Sequence, residues 1–172
     1  MTNDLLNQNF LKEKEELIMR YYEPDVVTKN LSDSVRGERF EGLEGARIKL
    51  IMDLKPKIDK LRGEMVIASI KPTNEVEKYL TEQNNSDYDY FIFINGLVWD
   101  LASENDRKRI LSHELRHCFI DDKGNYKTIK HDIEDFFAEV QLNEDDPMWK
   151  QALSTVAMAK FEQMKEEEKG NK

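Results

Sequence analysis

The chain has 172 residues, of which 39% are hydrophobic and 35% charged, and its formal net charge is −9. This composition is typical of one globular domain with a strongly charged surface and excludes a disordered chain. Cys118 is the only cysteine, which excludes an intramolecular disulfide and any zinc ribbon built from cysteine pairs. A metal site would have to use His, Asp or Glu.

The charge and the apolar runs also bear on partners and location. No apolar run approaches the roughly 18 to 20 residues of a membrane helix, and the opening residues, MTNDLLNQNFLKEKEE, are too acidic for a signal peptide. We therefore expect no membrane contact and a cytoplasmic location. The negative net charge argues against nucleic acid as a partner, although the segment Arg47 to Arg62 is basic on balance. Such a run is typical of a solvated helix face. The sequence sets no oligomeric state.

The first third of the chain is predicted to be helical. Apolar residues recur at spacings of three and four over Leu5–Tyr22, which indicates an amphipathic helix. Pro24–Gly45 contains turn formers and charges and is predicted to be mostly irregular. Leu50–Leu61 suggests a second helix, with Pro56 near a kink. Residues 1–62 are thus expected to form a helical N-terminal region.

The pattern then changes to that of strands. The segments EMVIASIKP and DYDYFIFING are short, apolar and bounded by turn formers, so both are predicted strands. Between them, TNEVEKYLTEQ fits a short helix with Thr73 as N-cap. Two strands separated by a helix can pair in parallel through a crossover. The sequence does not decide whether Asp25–Val35 contains a third strand.

The last third is predicted to be helical again. Ser103 begins a sequence of capping-box form and should start a helix. A turn at Asp121–Asn125 should end that helix, and Ile129–Val140 is predicted to form the next one. After the acidic break NEDDP, residues 146–168 are predicted to form an amphipathic C-terminal helix.

The stretch RILSHELRHCFIDD carries the strongest chemical signal. On a helix, His113 and His117 stand one above the other on the same face, whereas Arg109 points towards solvent. Two imidazoles one turn apart can bind one Zn²⁺ at roughly 2.0 to 2.1 Å each. Glu114 lies beside the pair, where a general base can take a proton from a metal-bound water.

A catalytic zinc needs a third protein ligand, for which His131 is favoured over Glu134 and Glu139. Asp135 or Glu134 is expected to orient an imidazole by hydrogen bonding to it. For stabilising an oxyanion, Tyr126, Arg116 and a tyrosine of the segment DYDY are candidates that no spacing singles out.

SHELRH followed by HDIEDF resembles the metal motif of SprT-like zinc metallopeptidases and, most of all, that of the putative phage metallopeptidase family. The resemblance covers roughly residues 65–140. The length predicts a single domain, 1–172, and the resemblance implies the α+β class, with a minimal zincin-like core at 63–141. In that fold a small β-sheet packs against the HExxH helix, and helical extensions flank the core.

The same resemblance implies that His113, His117 and His131 bind zinc and that Glu114 is the catalytic acid/base. Asp132 stands where SprT-like sequences often have glycine. If a phage encodes the protein, the cytoplasm in question is that of the host.

The predicted function is that of a zinc metallopeptidase, in which a zinc-activated water hydrolyses the peptide bonds of a peptide or protein substrate. The strand Tyr88–Ile94 is expected to offer an edge to an extended substrate. The alternative is a phage-encoded binding or inhibitor protein with a structural zinc. In that case a fourth ligand such as Asp122, Glu134 or Glu139 closes the site.

Overall fold

The computed structural model describes residues 20–82, 87–131 and 135–170. They form an α+β protein with a small mixed sheet and six α-helices. The strands are β1 (Tyr21–Tyr22), β2 (Ile48–Asp53), β3 (Ile58–Asp59), β4 (Glu64–Met65), β5 (Ala68–Pro72), β6 (Tyr90–Asn95), β7 (Cys118–Ile120) and β8 (Tyr126–Thr128). The helices are α1 (Val26–Arg39), α2 (Glu75–Glu82), α3 (Gly96–Leu101), α4 (Glu104–Arg116), α5 (Phe137–Leu142) and α6 (Trp149–Gly170).

The main sheet has the strand order β1-β2-β6-β5, in which only β2 and β6 pair in parallel. Alternate side chains of β6, those of Tyr90, Ile92 and Ile94, are fully buried. This alternation is what a strand with one face on the core requires. Strand β6 is therefore the centre of the sheet, and β5 forms one of its edges.

Helix α4 packs against the buried core with Ile110, Leu111 and Leu115. Its predicted N-cap is confirmed, since the Ser103 hydroxyl accepts a hydrogen bond from the backbone N–H of Asp106 at 3.1 Å. The helix ends at Arg116, earlier than predicted, and the chain enters the hairpin β7-β8. The predicted turn at 121–125 joins these two strands.

Both predicted strands of the middle region are confirmed as β5 and β6, but their parallel pairing is wrong. They run antiparallel, with Ile70 opposite Ile92. The short helix α2 is also confirmed, although Asn74 caps it by accepting from the N–H of Glu77. Thr73 instead donates its hydroxyl proton to the carbonyl of Tyr88.

The predictions for the first third are largely wrong. Pro24–Gly45 contains helix α1, which Asp25 caps by accepting from the N–H of Thr28; it holds no strand. The predicted helix over 50–61 is replaced by β2 and β3, because β2 pairs along its whole length with β6. Of the predicted helix 5–22, residues 5–19 lie outside the described ranges and Tyr21–Tyr22 form β1.

At the C-terminal end, the predicted helix over 129–140 is wrong for most of its length. Helix α5 begins only at Phe137, and residues 132–134 are outside the described ranges. The final helix is confirmed as α6, which buries Trp149, Leu153 and Ala157. None of the described helices combines the length and apolarity needed to cross a membrane.

The burial of α4 gives a stability prediction. Leu111→Ala removes a side chain that is 0% exposed, so we expect the free energy of unfolding to fall by about 2–5 kcal/mol through lost burial and a residual cavity. Leu61→Ala, at a residue 98% exposed, is the matched control and should change it by less than about 0.5 kcal/mol. Urea denaturation of metal-free protein measures both. Equal losses in the two variants would contradict the packing of α4.

Candidate metal centre

The end of α4 supplies two of the three histidines. His113 lies in the last turn, is 5% exposed, and belongs to the helix. His117 is the C-cap residue, and its N–H donates to the carbonyl of Glu114 at 3.1 Å. One helical turn separates the two side chains, so the imidazole centroids lie 5.3 Å apart.

The hairpin β7-β8 brings His131 back to this point. Beyond the hairpin, the N–H of Ile129 donates to the carbonyl of His117 at 2.9 Å, which continues the pairing of the two chain segments. Two residues later, Nε2 of His131 lies 3.0 Å from Nε2 of His113 and 3.0 Å from Nε2 of His117. The predicted third histidine therefore joins the other two, although from an extended segment and not from a helix.

The distances between these nitrogens are close to those expected when three histidines bind the same metal ion. Two nitrogens bonded to one tetrahedral zinc at 2.0–2.1 Å lie about 3.3 Å from each other. In the structure, one ligand nitrogen from each of His113, His117 and His131 lies within 4.8 Å of the other two. The three side chains can hold one ion without a change of backbone.

Polar contacts at the opposite ring nitrogens orient two of the imidazoles. Nδ1 of His117 lies 2.7 Å from the carbonyl oxygen of Ile129, to which it can donate only when protonated. Nδ1 of His113 lies 2.8 Å from Oδ1 of Asp135, which is an ion-pair distance, but the contact does not have hydrogen-bond geometry and Nδ1 has no other hydrogen-bond partner among the described residues. Both contacts leave Nε2 as the nitrogen with a free lone pair, which is the usual arrangement around a metal-bound histidine.

Burial favours the neutral form of His117 and of His131. Burial is the largest cause that lowers the pKa of His117, and burial together with the charges of His113 and His117 lowers the pKa of His131 to about 4. Asp135 is also partly buried, which by itself would raise its pKa, but the contact with His113 lowers the pKa to about 2. Asp135 is thus an anion next to a ring that must stay a donor at Nδ1.

Phe136 and Tyr90 hold this cluster in place. The sequence analysis did not identify Phe136, and it considered a tyrosine of DYDY only as an oxyanion stabiliser. The buried ring of Phe136 contacts all three imidazoles, with centroid distances of 5.7, 4.8 and 5.0 Å. The hydroxyl of Tyr90 lies 2.8 Å from the carbonyl oxygens of both Phe119 and Lys127, one in each strand of the hairpin. Burial raises its pKa to about 12, so it remains a donor and ties the hairpin to the central strand.

Glu114 is 6% exposed, and burial raises its pKa to about 7. Within residues 20–82, 87–131 and 135–170, no group donates a hydrogen bond to its carboxylate. A carboxyl group with a pKa near neutrality, next to a possible metal site, has the property that general acid/base catalysis requires.

Two cavities meet at Glu114 and His117. The first has a volume of about 190 Å³, and its lining includes His113, Met65 and Trp149. The second is an open groove of about 540 Å³ lined by Ile70, the segment 128–131 and Ser69. Both therefore give solvent or a ligand access to the histidines.

Lys150 lies in the first cavity and was also missed by the sequence analysis. Its Nζ is 3.4 Å from Nε2 of His113. The residue is the second of α6, and no spacing in the sequence relates it to the histidines 19 to 37 positions earlier.

The other predicted candidates lie elsewhere. The buried carboxylate of Glu139 accepts hydrogen bonds from Ser112 and Arg116, which directs both charged groups away from the imidazoles. Arg116 also stacks on Phe40, and Tyr126 packs edge-on against Tyr90. Glu134 is outside the described residues.

The architecture and the site define an α+β protein with a three-histidine centre suited to a divalent metal ion. The chain belongs to the family described as putative phage metallopeptidase, whose sequence profile matches residues 19–168. The resemblance to this family noted from the sequence is confirmed, and the name of the family suggests a peptidase that uses a metal ion. The relation to SprT-like enzymes stays a prediction. Comparison with curated proteins and with solved structures gives no match.

The raised pKa of Glu114 predicts a pH dependence of stability in metal-free protein. Between its ordinary pKa of 4.5 and the folded value of about 7, the folded state keeps a proton that the unfolded state has released. The free energy of unfolding therefore falls as pH rises through this window and the loss persists above it. Glu114→Gln cannot ionise, so its stability relative to wild type should rise by about 1–3 kcal/mol between pH 4.5 and pH 8.

Denaturation in the presence of a chelator at several pH values measures this difference. Glu144→Gln, at an exposed residue, serves as the control and should follow the wild type at every pH. A constant difference between Glu114→Gln and wild type over the whole range would contradict the buried, proton-retaining carboxyl group.

Proposed function

We propose that the protein is a zinc metallopeptidase in which His113, His117 and His131 hold one Zn²⁺ and Glu114 is the general base. The observation that carries the proposal is the convergence of three histidine nitrogens beside a buried carboxylate, that of Glu114, to which none of the described residues donates a hydrogen bond. Membership of a metallopeptidase family supports the same reading. Three neutral nitrogen donors are a common ligand set for catalytic zinc.

A bound zinc ion would polarise the scissile carbonyl and lower the pKa of the attacking water. Glu114 accepts the proton of that water and passes it to the leaving nitrogen, which its pKa of about 7 suits in both directions. Asp135 and the carbonyl of Ile129 keep His113 and His117 protonated at Nδ1, so that both present Nε2. Phe136 excludes water from the other side of the rings.

The arrangement supports a zincin-like reading of the core. Helix α4 and its C-cap supply the His-Glu-x-x-His residues, and β5 lies at the edge of the sheet next to them. Ala68 lines the first cavity, and Ser69 and Ile70 line the second. We therefore propose that an extended peptide passes from one cavity to the other along the outer edge of β5 and adds to the sheet by backbone hydrogen bonds.

This proposal changes the strand expected to receive the substrate. The segment Tyr88–Ile94 belongs to β6, which pairs with β2 on one side and β5 on the other and so has no open edge. Among the described strands, none pairs with the outer side of β5. The expectation that Tyr88–Ile94 offers an open edge is wrong, and edge recognition itself stays a proposal, now for β5.

The alternative of a closed, structural zinc site requires a fourth protein ligand. Within the described ranges the metal-ligand group contains only three histidines. Asp122 is exposed at the hairpin turn, and Glu139 is engaged by Ser112 and Arg116. Lys150 occupies the space beside His113 and cannot ligate as an ammonium group. These positions favour an open site.

The general-base role is tested by Glu114→Gln. We expect this variant to bind one zinc per chain, as wild type does, and to lose about 10²–10⁴-fold in turnover, the usual size of a general acid/base contribution. Zinc is measured by elemental analysis and turnover with fluorescein-labelled casein. Glu144→Gln is the matched control and should keep both. Full turnover in Glu114→Gln would refute the role of Glu114.

The third ligand is tested separately with His131→Ala. Because its Nε2 lies 3.0 Å from those of His113 and His117, we expect the loss of a ligand to weaken zinc binding by at least about 10²-fold and to abolish turnover. A competition titration with a chromophoric chelator gives the affinity. Wild-type affinity in this variant would show that residue 131 does not ligate the metal.

A further inference from the structure

Helix α6 places a cation beside the histidines. Trp149, Leu153 and Ala157 are buried against the core, and this packing sets the rotation of the helix. Lys150, the residue after Trp149, is half-buried and lines the first cavity together with Glu114. Its Nζ lies 3.4 Å from Nε2 of His113, the atom that would bind the metal.

The ammonium group of Lys150 has no carboxylate within ion-pair distance in the described part of the chain, and its one polar contact is with His113. Several lysines in or next to the strands are paired, by contrast: Lys49 with Glu23, Lys71 with Glu77, and Lys127 with Asp121. A long side chain that reaches into a cavity without a partner gives up rotamer entropy and hydration and gains no ion pair in return. Its charge is available for a ligand.

Two positive charges would face each other once a divalent ion binds at His113. In a partly buried site their repulsion is only weakly screened, and an anionic oxygen between them relieves it. The three histidines contribute no negative charge of their own. The combination of neutral ligands with a neighbouring ammonium group therefore favours an anion as the remaining ligand.

We infer that Lys150 is a catalytic residue that binds the carbonyl oxygen of the substrate as this oxygen becomes an oxyanion. The inference rests on the proposed function. When water adds to the carbonyl carbon, the new C–O bond forms, the π electrons of the C=O bond move to its oxygen, and Glu114 takes the proton. Lys150 donates a hydrogen bond to that oxygen. The C=O bond then re-forms, the C–N bond breaks, and the proton passes from Glu114 to nitrogen.

The test uses protein in which Co²⁺ replaces zinc, because the visible spectrum of Co²⁺ reports binding at the metal without any substrate. The probes are acetohydroxamate, which binds as an anion, and imidazole, which binds as a neutral molecule. Lys150→Met removes the charge with little change in length, and Lys150→Arg keeps it. Lys160→Met, at an exposed position of the same helix, is the matched control.

We expect Lys150→Met to take up Co²⁺ normally, to bind acetohydroxamate about 10–100-fold more weakly, and to bind imidazole as wild type does. Lys150→Arg should recover most of the affinity for the anion, and Lys160→Met should match wild type. A residue with a merely structural role would weaken both probes together, and that result would overturn the inference. So would unchanged acetohydroxamate binding in Lys150→Met, which would leave the proposed function standing. Wild-type protein that takes up no metal would overturn both.

Discussion

The tether between the end of α4 and the hairpin β7-β8 is the constraint on which the site depends. His113 and His117 follow from one helix turn, but His131 reaches them only because the chain leaves α4 at residue 117, turns through the hairpin, and pairs again with His117 through Ile129. The hydroxyl of Tyr90 contacts both strands of that hairpin from the central strand of the sheet. The position of the third imidazole is therefore set by the core.

The charges around the three imidazoles are arranged in a way that a purely structural cluster would not need. Asp135 lies beside one ring nitrogen of His113, Lys150 approaches the other, and Glu114 is buried between the two cavities with no donor to its carboxylate among the described residues. A buried acid, and a cation that has no carboxylate partner among the described residues, both reduce the stability of a fold. Glu114 and Lys150 line the same cavity, and this arrangement supports the proposal that the site binds a ligand and transfers a proton.

Sequence patterns predicted the parts of the fold whose signals are local. The cap at Ser103 and the spacing of His113 and His117 need only one helix, and both are where the sequence places them. Helix α1 was missed because its buried face is formed by Thr28, Ser32 and Val35, of which only one is apolar. Strand β2 was predicted to be a helix because its short apolar run fits the repeat of a helix as well as that of a strand. The segment forms a strand because it pairs with β6, some forty residues later in the chain.

Other errors have the same non-local origin. A helical wheel puts Arg109 on the solvent side of α4, yet the turn before α6 covers it, and its guanidinium pairs with Asp106 and Asp145. That same turn sets the start of α6 and hence the place of Lys150. The motif on α4 contains two of the proposed metal ligands, whereas Lys150, the residue proposed to bind the substrate oxygen, comes from α6 near the C-terminal end of the described chain. Packing between α6 and the core is thus part of the chemistry of the site: it brings a cation to a cluster that has three neutral donors and one base.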